Sequence, residues 1–208
     1  MIMNSQNHGG RPAGITGQAR TFTEKELKRV LLLVECGNNA RRNSCIVVFS
    51  HFLGLRAKEL SALKLSDVLT GVGVKKTLRL VAAYTKGAKH RDISLENPKV
   101  VKVLSEYLCE RKARDGAIFS LNAPLFRSQK GSAFSPNAMC RVLIDIYAGA
   151  GFENASSHSG RRSLITRLAC SGVDVNSIRL IAGHSSIATT QRYIESNPRV
   201  LADILKSL

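Results

Sequence analysis

Acidic residues are scarce: 15 Asp and Glu stand against 31 Lys and Arg in 208 residues, a formal charge of +16. No carboxylate occurs between Glu153 and Asp174, although "SSHSGRRSLITR" (156–167) carries His158, Arg161 and Arg162. So large an excess on a small chain attracts polyanions at long range and points to nucleic acid or an anionic surface. No acidic cluster suited to Mg²⁺ or Zn²⁺ accompanies the basic residues, so neither a metal nor another cofactor is expected. Long apolar runs are missing as well. The longest, "CIVVFSHFLGL" (45–55), is too short to span a bilayer and is interrupted by Ser50 and His51. The opening "MIMNSQNHGG" is polar after its third residue, and no secretory leader is expected. The five cysteines (Cys36, Cys45, Cys109, Cys140 and Cys170) never reach a C-x-x-C spacing, so buried, reduced thiols of an intracellular protein are expected. "GVGVKK" (71–76) lacks the spacing of a phosphate-binding loop, which argues against a nucleotide-binding enzyme.

What the sequence does contain is mostly helical pattern. Residues 1–22 carry Gly, Pro, Asn and Gln with little periodicity, and read as a flexible basic tail. Thr23 with Glu26 three residues on makes a capping box, Phe22 and Leu27 fit a hydrophobic staple, and Leu27, Val30, Leu31 and Val34 follow at helical spacing up to Gly37. Further helices are expected over about 40–53, 55–65, 98–112, 135–149, 158–171, 174–183 and 187–195. "TLRLVAAYT" (77–85) and "RDISL" (91–95), joined by the basic turn "KGAKH", read as a β-hairpin, and "PLFRSQKG" as a short extended piece. "PRVLADILKSL" (198–208) reads as a last amphipathic helix with Pro198 at its first position. The expected fold is a mostly helical α+β domain, 23–208, with one small antiparallel sheet.

Four basic clusters lie far apart in this pattern. Arg56 sits where one helix gives way to the next, Lys86 in the hairpin turn, His158 and Arg161 at the start of a helix, and His184 nine residues before Tyr193. Singly, each has an ordinary explanation as solvated surface or core. Together they form a chemical set. Arginine forks suit phosphate oxygens, a Lys and two His place or remove protons, and a Tyr hydroxyl is a nucleophile once deprotonated. Positive side chains then do the work that metals do in nucleases, which describes phosphoryl transfer through a tyrosine ester.

On these residues the chain resembles the tyrosine recombinases, or phage-type integrases. "GLRAKELSALKLSDV" (54–68) is similar to the family's first box, with Arg56, the accompanying acid Glu59, and Asp67. "TKGAKHRDISL" (85–95) is similar to its lysine hairpin, with Lys86 in place and Lys89 as the fallback. "HSGRRSLITRLACSGVDVNSIRLIAGHSSIATTQRYI" (158–194) matches the second box as His158-x-x-Arg161, then Gly183-His184, then Tyr193; Arg162 stands where many relatives have a second His. The resemblance covers about 23–195 and implies the family's catalytic domain alone, without the helical DNA-binding domain that usually precedes the first box.

The resemblance implies a site-specific recombinase that cuts and rejoins double-stranded DNA through a 3′-phosphotyrosine, without metal or ATP. Tyr193 would be the nucleophile, Arg56 and Arg161 would hold the non-bridging oxygens, and Lys86 would protonate the leaving 5′-oxygen. His158 would act as acid/base and His184 as a further donor to the phosphate. It also implies assembly into a tetramer, two protomers per site, with the 198–208 helix docking on a neighbour or on its own domain. An accessory DNA-binding protein would supply the missing domain, and a nucleoid-associated cytoplasmic location follows. A type IB topoisomerase-like strand relaxer and a catalytically degenerate DNA-binding regulator are the alternative readings.

Overall fold

The computed structural model describes residues 19–81, 84 and 90–195. The chain opens with α1 (Glu24–Glu35), whose capping box forms as expected: the Glu26 amide donates to Thr23 Oγ1 at 3.3 Å, and the Thr23 amide to Glu26 Oε2 at 2.8 Å. Phe22 is buried with Leu27, Val30 and Val34 in the same core. The packed region starts before the expected boundary at residue 22. The Phe22 amide donates to Ser163 Oγ at 2.8 Å, and the Arg20 guanidinium stacks on Phe152, 4.9 Å from its ring centre. An aromatic side chain flanked by Tyr147, Phe152 and His51 buries too much surface to stay in a mobile tail.

The central element is α2 (Ala40–Phe52), buried without interruption from Ser44 to His51. A helix with no polar face belongs inside, and α2 packs against α1, α5 (Pro98–Asp115) and α7 (Ser159–Cys170). Its approach to α7 depends on Gly160, where a Cβ would lie 2.2 Å from Ser50 Oγ and 2.9 Å from the His51 ring. Only a glycine permits that crossing.

The expected helix over 55–65 is not continuous. Leu55 and Arg56 lead into α3 (Ala57–Ala62), Leu63 and Lys64 are again extended, and α4 (Leu65–Val68) is a single turn. Arg56 and Lys64 occupy N-cap positions, with Glu59 and Asp67 accepting from their amides. Leu55, Leu60, Leu63 and Leu65 are all buried, so the rough apolar stripe reflects a chain that turns inside the core rather than one amphipathic face.

Two two-stranded antiparallel sheets follow, not one. The unexpected one pairs β1 (Leu69–Thr70) with β2 (Gly73–Val74); the expected hairpin pairs β3 (Thr77–Leu80) with β4 (Arg91–Ser94). In the second, Leu78 faces Ile93 and Leu80 faces Arg91. "PLFRSQKG" contributes only isolated bridges, Lys64 with Pro124 and Arg127 with Ala133. Then come α6 (Pro136–Gly149), α7, α8 (Val175–Ala182) and α9 (Ile187–Glu195). Ile165, Ala169, Ile178 and Ala182 form a small core of their own between α7 and α8. Cys45 is buried, whereas Cys36 and Cys109 are exposed, because they sit on the outward positions of α1's end and α5. No helix among the described residues is long and apolar enough to cross a membrane. The segments 1–18, 82–83, 85–89 and 196–208, with the expected tail, hairpin turn and last helix, lie outside the described residues.

Candidate active site

Four separated segments meet at one place: the α2–α3 junction, the start of β4, the first turn of α7 and the α8–α9 junction. Arg161, on α7, is buried and donates through Nη1 to the Gly54 carbonyl at 2.7 Å and through Nη2 to the Ala182 carbonyl. It thereby ties the end of α2 to the end of α8. Arg56 reaches the same end of α8, with Nη2 3.4 Å from the Gly183 carbonyl, and its Nη1 donates to Glu59 Oε1 at 2.9 Å. The Glu59 carboxylate is fully buried, while the Arg56 side chain keeps 21% of its surface exposed. Its Nη1 is therefore held firmly and its Nη2 only at a long distance, with part of the side chain still exposed.

His158 and Arg161 share the first turn of α7. His158 is the N-cap residue, exposed at the rim of the site, and its amide donates to Ser156 Oγ at 3.2 Å. Partial enclosure of the ring, and then the charges of Arg161 and Arg56, hold its pKa below the usual histidine value. His184 follows Gly183, whose left-handed backbone (φ 61°) ends α8. It is buried, its Nδ1 is 2.9 Å from the fully buried Thr190 hydroxyl on α9, and its amide donates to the Arg179 carbonyl at 3.0 Å. Burial, reinforced by Arg161, Arg56 and Arg91, pushes its pKa down to about 4. Both imidazoles are thus neutral at pH 7, each with a nitrogen able to accept a proton.

Of the six expected residues, Arg56, Arg161, His158 and His184 come together here. Tyr193 belongs to α9, the helix that carries Thr190, though its side chain is outside the described part; Lys86 lies outside the described residues. Sequence reading missed Arg91 and Thr190. Arg91 donates through Nη2 to Glu59 Oε2 at 3.0 Å and through Nη1 to the Ala182 carbonyl. A signal for it existed. Strand alternation puts Arg91 on the face of Ile93, across from Leu80, and a charge on an inward strand face is unusual. Thr190, one of two adjacent threonines on α9, gave none.

Arg56 and Arg91 share the Glu59 carboxylate, Arg161 joins them through the Ala182 carbonyl, and two neutral imidazoles lie alongside, a cationic grouping suited to a phosphate or similar oxyanion. Among the described residues no three His, Cys, Asp or Glu side chains are grouped to hold a metal ion. Residues 20–199 match the model of the phage integrase family. The chain belongs to that family.

Relatives agree with the assignment. The chain is 32% identical over 158 residues to tyrosine recombinase XerC of Myxococcus xanthus, covering 74% of this chain and 50% of that protein. It is 28% identical over 187 residues to tyrosine recombinase XerA of Pyrococcus furiosus, covering 90% and 59%. The crystal structure of a XerA recombinase superposes with a TM-score of 0.74 at 26% identity, over 92% of this chain and 66% of that one. This member of the phage integrase family thus spans about half the length of the tyrosine recombinases it matches.

Proposed function

We propose that residues 23–208 are the catalytic domain of a site-specific DNA recombinase that cuts and rejoins strands through Tyr193. The observation that carries this reading is the convergence of Arg56 with His158, Arg161 and His184, which lie more than a hundred residues further along the chain, at the ends of α2 and α8. The reading draws further support from relatives that are named as tyrosine recombinases, and from similar folds solved as a XerH recombinase in a post-cleavage complex with difH substrate and a lambda integrase dimer on a core site. Those two structures are under 25% identical to this chain and speak for the fold alone.

In the proposed reaction the Tyr193 oxygen bonds to the scissile phosphorus and the bond to the 5′-oxygen breaks. The phenolic proton passes to His158, whose lowered pKa keeps it ready as a base. Lys86, between β3 and β4, returns a proton to the leaving oxygen. Arg56 and Arg161 neutralise the non-bridging oxygens as their charge grows, and His184, held by Thr190, donates a further hydrogen bond. The phosphotyrosine conserves the bond energy, so another strand's 5′-hydroxyl reverses the steps without ATP. Guanidiniums supply the electrostatic stabilisation, so the chemistry proceeds without metal. Double-stranded DNA is the partner, in a tetramer with two protomers on each site, the 198–208 segment docking on a neighbouring protomer or on its own domain and an accessory protein aiding DNA capture.

The test is covalent trapping. Wild type and Tyr193→Phe are incubated, with EDTA, with nicked duplexes tiling the DNA on either side of the gene. An SDS-resistant adduct is expected from the wild type only. An equal adduct from Tyr193→Phe would overturn the assignment of the nucleophile.

A further inference from the structure

Arg91 has no part in the proposed reaction, yet it touches both arginines' supports. Its side chain is 9% exposed, less than half the figure for Arg56. The Glu59 carboxylate is divided between the two, Oε1 to Arg56 at 2.9 Å and Oε2 to Arg91 at 3.0 Å. The Ala182 carbonyl is divided in the same way, accepting from Arg161 and from Arg91. The Arg91 side chain lies over Gly183 so closely that a Cβ there would be 2.3 Å from Nη1 and 3.0 Å from Cδ. The glycine before His184 is needed for this seat as well as for its left-handed backbone.

Physical consequences follow for Arg56. A buried carboxylate with a single cation beside it holds that cation tightly, because nothing else compensates its charge. If Glu59 had only Arg56, it would draw the guanidinium inward and cancel the charge that a phosphate requires. A second, more buried arginine neutralises Glu59 and leaves the partly exposed Arg56 to answer to a ligand.

We propose that Arg91 is a positioning residue, which neutralises Glu59 and braces Ala182 so that Arg56 and Arg161 are presented to a bound phosphodiester. The proposal rests on reading this site as a phosphate site. It makes the base of the hairpin part of the active site's support, beyond the turn that carries Lys86.

Five full-length proteins test it: wild type, Arg91→Ala, Arg91→Lys, Glu59→Gln and the Arg91→Ala/Glu59→Gln double variant. With the same nicked duplexes as probe, Arg91→Ala slows adduct formation about 10–100-fold, as for other supporting partners of a site. Duplex binding is unchanged, and Arg91→Lys retains part of the rate. Removing the Glu59 charge in the Arg91→Ala background recovers part of the loss, because the carboxylate no longer competes for Arg56. A merely structural Arg91 gives no such recovery, since a second buried deletion adds damage. Wild-type rates for Arg91→Ala, or a double variant slower than either single, overturn the proposal. Urea unfolding of the same proteins decides the link without DNA: the two substitutions are expected to be non-additive, and additive effects overturn it. Absence of any wild-type adduct would instead count against the phosphate reading, with the urea cycle still deciding the Arg91–Glu59 link.

Discussion

Two buried carboxylates in this molecule are each shared by two arginines, and they serve different ends. Asp115, at the end of α5, accepts from Arg111 at 2.8 Å and from Arg127 at 2.9 Å. Arg111 is itself 1% exposed, and its Nη1 is shared among the Pro124 and Leu125 carbonyls and the Tyr107 hydroxyl. All these groups fall within residues 107–127, so the network is local and closed: it fastens the chain after α5 back onto the helix. Glu59 is shared by Arg56 and Arg91, but Arg161 joins through the Ala182 carbonyl, two histidines are held neutral alongside, and the residues come from positions 54 to 184. A network closed within one stretch of chain makes a brace. A surplus of charge gathered from distant segments makes a binding site.

The largest effect should come from breaking the closed network. Arg111→Ala takes a fully buried donor from Asp115 and from the Pro124 and Leu125 carbonyls at once, leaving Asp115 only the more exposed Arg127, and breaking such a buried pair costs about 3–5 kcal/mol. Urea unfolding of this variant should show a loss of that size, and a midpoint equal to wild type would mean the network is not a brace. Arg56→Ala should do the reverse. Glu59 keeps Arg91 and the Arg56 amide, so stability falls less than for Arg111→Ala. The rate of adduct formation should fall on the order of 10²–10³-fold, as expected for one lost electrostatic donor. Equal stability losses in the two variants would erase the distinction between brace and site.

The same contrast explains what the sequence made legible. Signals within one turn or one strand were readable: the Thr23–Glu26 box and the hairpin of β3 and β4 both reappear in the structure. The four basic clusters were readable as a set because a chemical rationale joined them, and four of the six expected side chains meet. The 55–65 segment misled because its leucines are buried from several directions, which imitates a weak helical stripe. Arg91 was overlooked because its importance lies wholly in long-range partners, Glu59 32 residues away and Ala182 91 residues away. No local pattern encodes a shared carbonyl.

The smallest effect, and the sharpest comparison, concerns two histidines whose pKa values are both depressed by burial but beside different arginines. His51, on α2, is fully buried against Phe22 with Nε2 3.2 Å from the Tyr147 hydroxyl; burial, aided by Arg167, brings its pKa to about 3. His184 is brought to about 4 by burial together with Arg161, Arg56 and Arg91. Both folded values lie below the ordinary 6.5, so the unfolded chain binds more protons between the two. Stability is therefore complete above about pH 6.5 and declines as the pH falls toward 3. NMR titration of the ring carbons should place both midpoints below 5. In Arg56→Ala the His184 midpoint should rise, because one facing positive charge has gone, whereas His51, beside Arg167, should not move. A His184 midpoint unmoved by that substitution would show that burial alone sets it. The guanidinium of Arg56 would then be too remote from the imidazole for the two to grip one phosphate.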